Sequence, residues 1–407
     1  MKAVVFGLQW GDEGKGKITT YLSREYDIVV RYSGGSNAGH TVEYGDVKII
    51  HHLIPSLHLN SSVKGYIGPG VVIDVEVFMK ELEELRSIDP DVDEKVRVSS
   101  LSHIVLPLHK EIDGKLEDMK GEARVGTTRR GIGPAYADKA NRLGIRAGDF
   151  RNLERLIEKL ELISRISENL YGTTPMNSRE LIQKYEVISR YVLDPMDMKR
   201  DIENSRVLFE GTQGVLLDLD VGTYPYVTSG HCNTTGVWVG IGFPVKLNKY
   251  IGVFKAYTTR VGEGPFPTEV MGSEAEELRN RGKEFGATTG RPRRCGWLDL
   301  PLLRYAVEVS GCTEMIMTKA DVLNGISEVK VCVGYRYNGR ILDVPPNLDV
   351  LDDVKPVYET LKGWQDLDDP NFHEFVEYVS KMVGVTMSHV STGPKVDDMK
   401  IWSGDDD

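Results

Sequence analysis

Short apolar runs alternate with longer stretches of helical period along most of the chain. Runs at Ala3-Val4-Val5-Phe6, Ile28-Val29-Val30-Arg31-Tyr32, Val71-Val72-Ile73 and Val207-Leu208-Phe209 read as strands. So do Ile251-Gly252-Val253-Phe254, Met315-Ile316-Met317 and Val329-Lys330-Val331-Cys332-Val333. Between them, apolar residues recur at helical spacing from Val75 to Leu85, Leu153 to Leu170 and Leu300 to Val309. Strands alternating with helices predict an α/β fold with a large, mainly parallel central sheet flanked by helices. Asn338-Gly339 between two strands reads as a hairpin turn, so a small part of the chain is antiparallel. The stretch from about 151 to 206 is poor in glycine and reads as a helical subdomain packed on the sheet of a single unit spanning 1–407. No internal repeat or low-complexity linker divides it.

Composition narrows the function classes. The 407 residues are 40% hydrophobic and 27% charged, enough for a large core. A net charge of -11 argues against a general nucleic-acid or membrane-surface binder, though not against local basic pockets. No run of about 18 apolar residues predicts a membrane span, and the chain opens directly on strand and loop rather than on a signal peptide. Cys232, Cys295, Cys312 and Cys332 lack metal-site spacing and fit free thiols in a reducing cytosol.

The segment from Gly7 to Lys17, between the first strand and helix-compatible residues from Ile18, carries the clearest chemistry. A glycine-rich turn joining strand to helix can turn several N–H groups toward a phosphate. Gly11, Gly14 and Gly16 permit that backbone, and Lys15 and Lys17 can neutralise charge. The frame Gly11 to Lys17 nearly matches a P-loop, but Ile18 stands where Ser or Thr would hold magnesium. Asp12 therefore becomes the candidate metal ligand or base. A second loop, Gly34 to Thr41, sets His40 among glycines past a strand, where side chains reach a crevice.

Further loops supply anion-binding groups. Val125 to Tyr136 offers hydroxyls, guanidiniums and glycines, and Ala287 to Arg294 carries three arginines in an acidic protein. Phe209-Glu210-Gly211-Thr212-Gln213-Gly214 and the following Gly222 to Thr228 put Gln213 and Thr228 in one crevice. Thr318-Lys319-Ala320-Asp321 has the pattern of guanine-nucleotide binders, whose carboxylate accepts from N1–H and the 2-amino group of guanine. Ser391-Thr392-Gly393-Pro394, past another strand-like run, is placed to close over the base.

In order and spacing these segments closely resemble the adenylosuccinate synthetase family, from Val4 to Pro394. The resemblance implies a cytoplasmic homodimer that joins IMP and L-aspartate using GTP and Mg2+, through a 6-phosphoryl-IMP intermediate. It implies Asp12 as base, His40 as general acid, and Lys15 and Gln213 beside them in the catalytic set. Asp12 and the Gly39 carbonyl would hold the metal. IMP would meet Asp12, Glu13, Gly14, Lys15, Asn37, Ala38, Gly39, His40, Thr128, Gln213, Thr228 and Arg291, with Arg142 reaching the partner subunit's IMP. Ala287, Thr288, Thr289, Gly290, Arg291 and Arg293 would close on aspartate. GTP would take Gly11 through Lys17, with Gly16 among them, then Gly39, His40, Thr41, Arg293, Lys319, Ala320, Asp321, Ser391, Thr392 and Gly393.

Three features depart from the family pattern. Arg129 stands where glycine is expected, Pro292 interrupts an arginine run, and Ser229 to Thr235 is longer than usual, with His231 and Cys232 read as inserted residues rather than a metal pair. Two other readings share the motifs: a GMP- or dGMP-using synthetase of the same family, and a GTP-binding switch without ligase chemistry.

Overall fold

Lys2–Gly7 lies inside a ten-stranded sheet, between Val207–Glu210 on one side and Lys249–Lys255 on the other. Beyond Val207–Glu210 come Ile28–Arg31, Lys64–Ile67, Val96–Ser99 and Val192–Leu193; beyond Lys249–Lys255 come Glu314–Thr318, Met387–Ser391 and Met399–Ile401. Every pairing is parallel except the last, Met387–Ser391 with Met399–Ile401. The computed structural model describes residues 1–121, 124–286, 290 and 292–402.

Side chains along a strand alternate between faces, and the core divides accordingly. Val4, Phe6, Val30, Val207 and Phe209 join one cluster with the helices Leu300–Ser310 and Pro370–Val383. Ala3, Val5, Val29, Leu208 and Val253 face the other way, onto Ile18 and Leu22 of the helix Lys15–Ser23. With both faces covered, these strands read as continuous apolar runs, which is why they were visible in sequence. A third cluster lies under the helices Val75–Arg86 and Leu153–Tyr171.

The hairpin at Asn338-Gly339 forms with both residues at positive φ, 47° and 76°, joining Glu328–Tyr337 to Arg340–Leu342. Lys64–Ile67 was not legible as a strand because Gly65 and Lys64 dilute it; the space a side chain at Gly65 would fill is taken by Leu57. Of the run Val71 to Ile73, only Val72–Ile73 is strand, and it pairs with His103–Ile104 outside the main sheet. Between Leu153 and Asn204 three α-helices occur, with the 3-10 turn Glu186–Tyr191 and the short strand Val192–Leu193 among them. Among the described residues no helix is long and apolar enough to cross a membrane.

This topology brings loops from five strands, Lys2–Gly7, Ile28–Arg31, Val207–Glu210, Glu314–Thr318 and Met387–Ser391, to the carboxyl edge of one sheet. That edge is where open α/β sheets bind ligands.

One buried carboxyl in the core makes the fold pH-sensitive. Asp299 starts the helix Leu300–Ser310 by accepting from Leu302 N at 3.2 Å, and both its oxygens lie 2.6 Å from the Tyr335 hydroxyl. Burial pushes this carboxyl up to about 7, against the hydrogen bonds from Tyr335 and Leu302. An unfolded Asp ionises near pH ~4, so between there and about 7 the folded chain keeps a proton that the unfolded chain has lost. The contribution is full below the lower value and gone above the upper one. Relative to Asp299→Asn, wild type therefore loses stability, on the order of a few kcal/mol, as pH rises across that window, and the difference stays flat above it. Thermal melts of both proteins from pH ~5 to ~8.5 measure this.

Candidate active site

The phosphate-loop segment adopts a tightly constrained backbone. Gly11, Asp12 and Gly14 all lie at positive φ, 87°, 61° and 88°. For a non-glycine such as Asp12 this conformation costs on the order of 1 kcal/mol, and it is held by a buried carboxylate. Glu13 is fully buried; its Oε1 accepts from Gln9 N at 3.1 Å and Gly11 N at 2.9 Å, and its Oε2 meets Lys15 Nζ at 2.5 Å. Thr318 Oγ1 donates to the Glu13 carbonyl at 2.6 Å, joining this loop to the Thr318–Asp321 motif. The helix Lys15–Ser23 has no side-chain cap, and Gly14, Lys15 and Gly16 at its start line a cavity of about 730 Å³. Uncapped N–H groups at a helix start suit an anion.

His40 opens the strand His40–Tyr44 and lines the same cavity. Its Nδ1 lies 2.6 Å from Oε1 of Glu210, a fully buried residue at the end of Val207–Glu210. Glu210 also accepts from Ser56 Oγ at 2.6 Å and Ser56 N at 3.0 Å, and Arg31 Nη1 stands 3.6 Å away. Burial lowers His40 to about 4, with Glu210 pulling the other way. The geometry fixes a proton on Nδ1 toward Glu210 and leaves Nε2 without a partner among the described residues. Close approach of His40 to the helix start requires Gly16, because a side chain there would run into the His40 Cβ.

Across the cavity, Arg293 Nε stands 2.7 Å from Asp12 Oδ2, and its Nη1 stands 2.6 Å from Glu284 Oε2. Burial alone would raise the Glu284 carboxyl, but Lys255, Arg293 and Lys319 hold it at about 2. Gln213, at φ 51°, packs its backbone against Gly11, and Thr228 donates its N–H to Leu217 at 2.9 Å; both line the cavity. The loop carrying Thr128 is braced by the helix Pro107–Lys120: Thr127 N donates to Glu117 at 3.2 Å and Gly131 N to Asp113 at 2.9 Å. Arg129 occupies the expected glycine position at φ 54°, a left-handed backbone, and is paired with Asp118. That φ explains the glycine expectation, and the ion pair ties the substituting arginine to the neighbouring helix.

The base motif follows Glu314–Thr318. Lys319 has φ 61° and donates to the Gly282 carbonyl at 2.8 Å, and burial raises the Asp321 carboxyl, opposed by Lys319. Asp321, Lys319, Ser391 and Gly393 line the cavity, as do Asn37, Ala38, Gly39 and Thr41. Lys17 lines it too, with its ammonium turned to the loop after Ser391. Ala320 is buried behind the motif, and Gly290 and Thr392 lie outside the lining. Arg142 is exposed at the end of the helix Ile132–Asn141 and does not line its own chain's cavity. Ala287, Thr288, Thr289 and Arg291 lie outside the described residues.

Among the described residues, one trio has metal-ligand geometry, Asp218, Asp220 and His231. Asp218 already accepts from four main-chain N–H groups, of Asp220, Val221, Cys232 and Asn233. The Cys232 thiol sits 3.8 Å from Gln213 Oε1. Sequence reasoning passed over Glu210, Ser56 and Glu284. The available signal for Glu210 was a lone acid ending an apolar strand just before a glycine-rich loop.

The fold and this cavity have the form of a nucleotide-dependent enzyme: loops from parallel strands bring the glycine-rich loop, the Thr318–Asp321 motif and Asp12 with His40 to one cleft. A family model described as adenylosuccinate synthetase matches residues 4–400. The adenylosuccinate synthetases of Thermosipho africanus and Thermotoga maritima are 54% and 52% identical to this chain, each comparison covering 98% of it and 99% of the relative. The structure of fully ligated adenylosuccinate synthetase from Plasmodium falciparum matches with a TM-score of 0.93 at 35% identity, over 98% of this chain and 99% of that one. A cyanophage S-2L succinoaminodeoxyadenylate synthetase, bound to dGMP with dATP as energy donor, shares the fold with a TM-score of 0.64 at 21% identity, over 98% of this chain and 95% of that one. The chain belongs to the adenylosuccinate synthetase family, GTP-dependent ligases that join IMP and L-aspartate in purine nucleotide synthesis. Membership in a ligase family sets aside the reading as a non-catalytic switch.

Glu210→Gln keeps the shape behind His40 but removes the charge. Turnover is expected to fall by about tenfold or more with KM for GTP little changed, since the substitution alters the partner of His40 Nδ1 and no residue proposed to touch the nucleotide. Steady-state kinetics with GTP varied at saturating IMP and aspartate give the split.

Proposed function

We propose that this chain makes adenylosuccinate by way of 6-phosphoryl-IMP, with Asp12 and His40 as its acid–base pair. The observation that carries the reading is their convergence: two loops from different strands bring both residues to the cavity that also holds Asp321. The 6-oxo group of IMP is a poor leaving group, and phosphorylation makes it a good one. Asp12 takes the N1 proton, the electrons move onto O6, and O6 attacks the γ-phosphorus as the bond to GDP breaks. His40, protonated at Nε2 once the entering phosphate charge favours the imidazolium, and Lys15 face the charge on the transferring phosphoryl group. The aspartate amine then attacks C6, loses its proton, and inorganic phosphate departs. Gln213 orients the 6-position, and Asn37, Thr128 and Thr228 hold the nucleotide from the opposite loops. Arg291 and Arg293, with Thr288 and Thr289 beside them, hold the carboxylates of aspartate. For Asp12 to act, its Oδ2 must exchange the Arg293 guanidinium for the purine.

The donor chemistry suits Mg2+: the Asp12 carboxylate and the Gly39 main-chain oxygen are hard oxygen ligands lining one cavity, and Mg2+ is commonly held by one or two protein oxygens plus phosphates. Bound there it would neutralise phosphate charge. We place the enzyme in the cytoplasm, because all four cysteines are free, buried thiols. We also read it as a homodimer in which Arg142 clamps the IMP phosphate of the partner subunit, a reading supported by its exposure and its absence from its own cavity lining.

Phosphate release from GTP is expected to require IMP and aspartate together, with GMP or dGMP unable to replace IMP. Asp12→Asn should lower turnover on the order of 10³-fold; turnover within tenfold of wild type removes Asp12 from the base role. Arg142 makes a separate claim about assembly. Asp12→Asn and Arg142→Leu homodimers should each be nearly inactive, yet subunit exchange between them should restore ~a quarter of wild-type sites, one intact site per heterodimer. Tagged pull-down verifies exchange, and verified heterodimers without activity would place Arg142 outside the shared site.

A further inference from the structure

Lys17 is the loop residue that a P-loop frame assigns to phosphate, yet its ammonium is fully engaged elsewhere. Nζ lies 2.8 Å from Ser391 Oγ, 2.6 Å from the Gly393 carbonyl and 2.7 Å from the Asp398 carbonyl. A lysine ammonium has three donors, and these acceptors take all three. Lys15, by contrast, uses one donor on Glu13 and starts the helix at the cavity. Burial lowers Lys17 to about 8, with Asp398, Asp321, Asp397 and Glu43 raising it, as suits a cation held by neutral oxygens.

The three acceptors come from the end of the strand Met387–Ser391 and the loop that joins it to Met399–Ile401. Within it the Asp398 carbonyl accepts from Thr392 N at 2.9 Å and the Asp398 side chain from Lys395 N at 2.8 Å. Ser391 and Gly393 face the cavity beside Asp321. We propose that Lys17 is a positioning residue that ties the phosphate-loop helix to the loop closing the guanine pocket, so that it sets base discrimination and does not contact phosphate. Its protein partners leave it no donor for phosphate, and they are the groups that must stay in place for Asp321 to meet the base. The inference deepens the proposed function and rests on guanine lying at Asp321.

The test compares kcat/KM for GTP and ITP, which lacks the 2-amino group, in wild type and Lys17→Met. If Lys17 shapes the base pocket, the GTP:ITP ratio falls by about tenfold or more. A lysine bound to phosphate would depress both nucleotides equally and leave the ratio intact; that result, or no change in either, overturns the proposal. If Lys17→Met does not fold, as read by its melting temperature, Ser391→Ala withdraws one of the three acceptors with the lysine in place. An unchanged ratio there overturns the proposal as well. Asp321→Asn, run alongside, separates two failures. Full GTP preference in that variant means guanine is read elsewhere. Lost preference there with an intact ratio in Lys17→Met overturns the role of Lys17 alone.

Discussion

The buried carboxylate of Glu13 organises this molecule. Inside a strand-to-helix turn it accepts two main-chain N–H groups and a lysine, and the glycines around it exist to make room: side chains at Gly7 or Gly214 would occupy the space of the Glu13 carboxylate. An unpaired charge at that depth would cost several kcal/mol, so Lys15 and the loop backbone are bound together as one unit. Asp12 takes its left-handed conformation next to this unit, Gln213 packs against it, and Thr318 is hydrogen-bonded to it. The residues proposed to meet phosphate, base and IMP thus share a single fixed point.

Around that point four of the cations are already engaged. Lys15 faces Glu13, Lys17 the loop after Ser391, Arg293 both Asp12 and Glu284, and Lys319 the Gly282 carbonyl. A polyanionic nucleotide entering such a cleft meets several charges that are already paired, so part of its binding is an exchange of partners. Its net gain is the difference between two sets of paired states, which is smaller than the charges suggest but discriminating. Arg293 is the clearest instance, since the carboxylate it neutralises is the one assigned to take a proton.

Much of this was readable beforehand, for identifiable reasons. Strands buried on both faces, such as Lys2–Gly7 and Glu314–Thr318, announce themselves as unbroken apolar runs. The glycine-rich loops were legible because only certain backbones can cradle phosphate, and the hairpin because Asn-Gly suits two positive φ angles. Lys64–Ile67 and Val96–Ser99 were not, since polar residues interrupt them and their pairing depends on distant neighbours. Glu210 and Glu284 escaped notice because an acid acquires meaning from what faces it, and His40 is 170 positions from Glu210 in the chain. Lys17 shows the converse: its residue type and spacing invited a phosphate role, and only the carboxy-terminal loop, 374 residues onward at Ser391, revealed other partners.

Asp12, Gln213 and Lys319 each hold a left-handed backbone that glycine would adopt without strain. An engineer hunting for heat resistance would find all three attractive targets, because relieving such angles commonly stabilises a chain. In this molecule the same three residues line the cleft. Selection for durability alone would therefore erode the chemistry first at the positions where it appeared to be doing the most good, leaving a sturdier but idle protein.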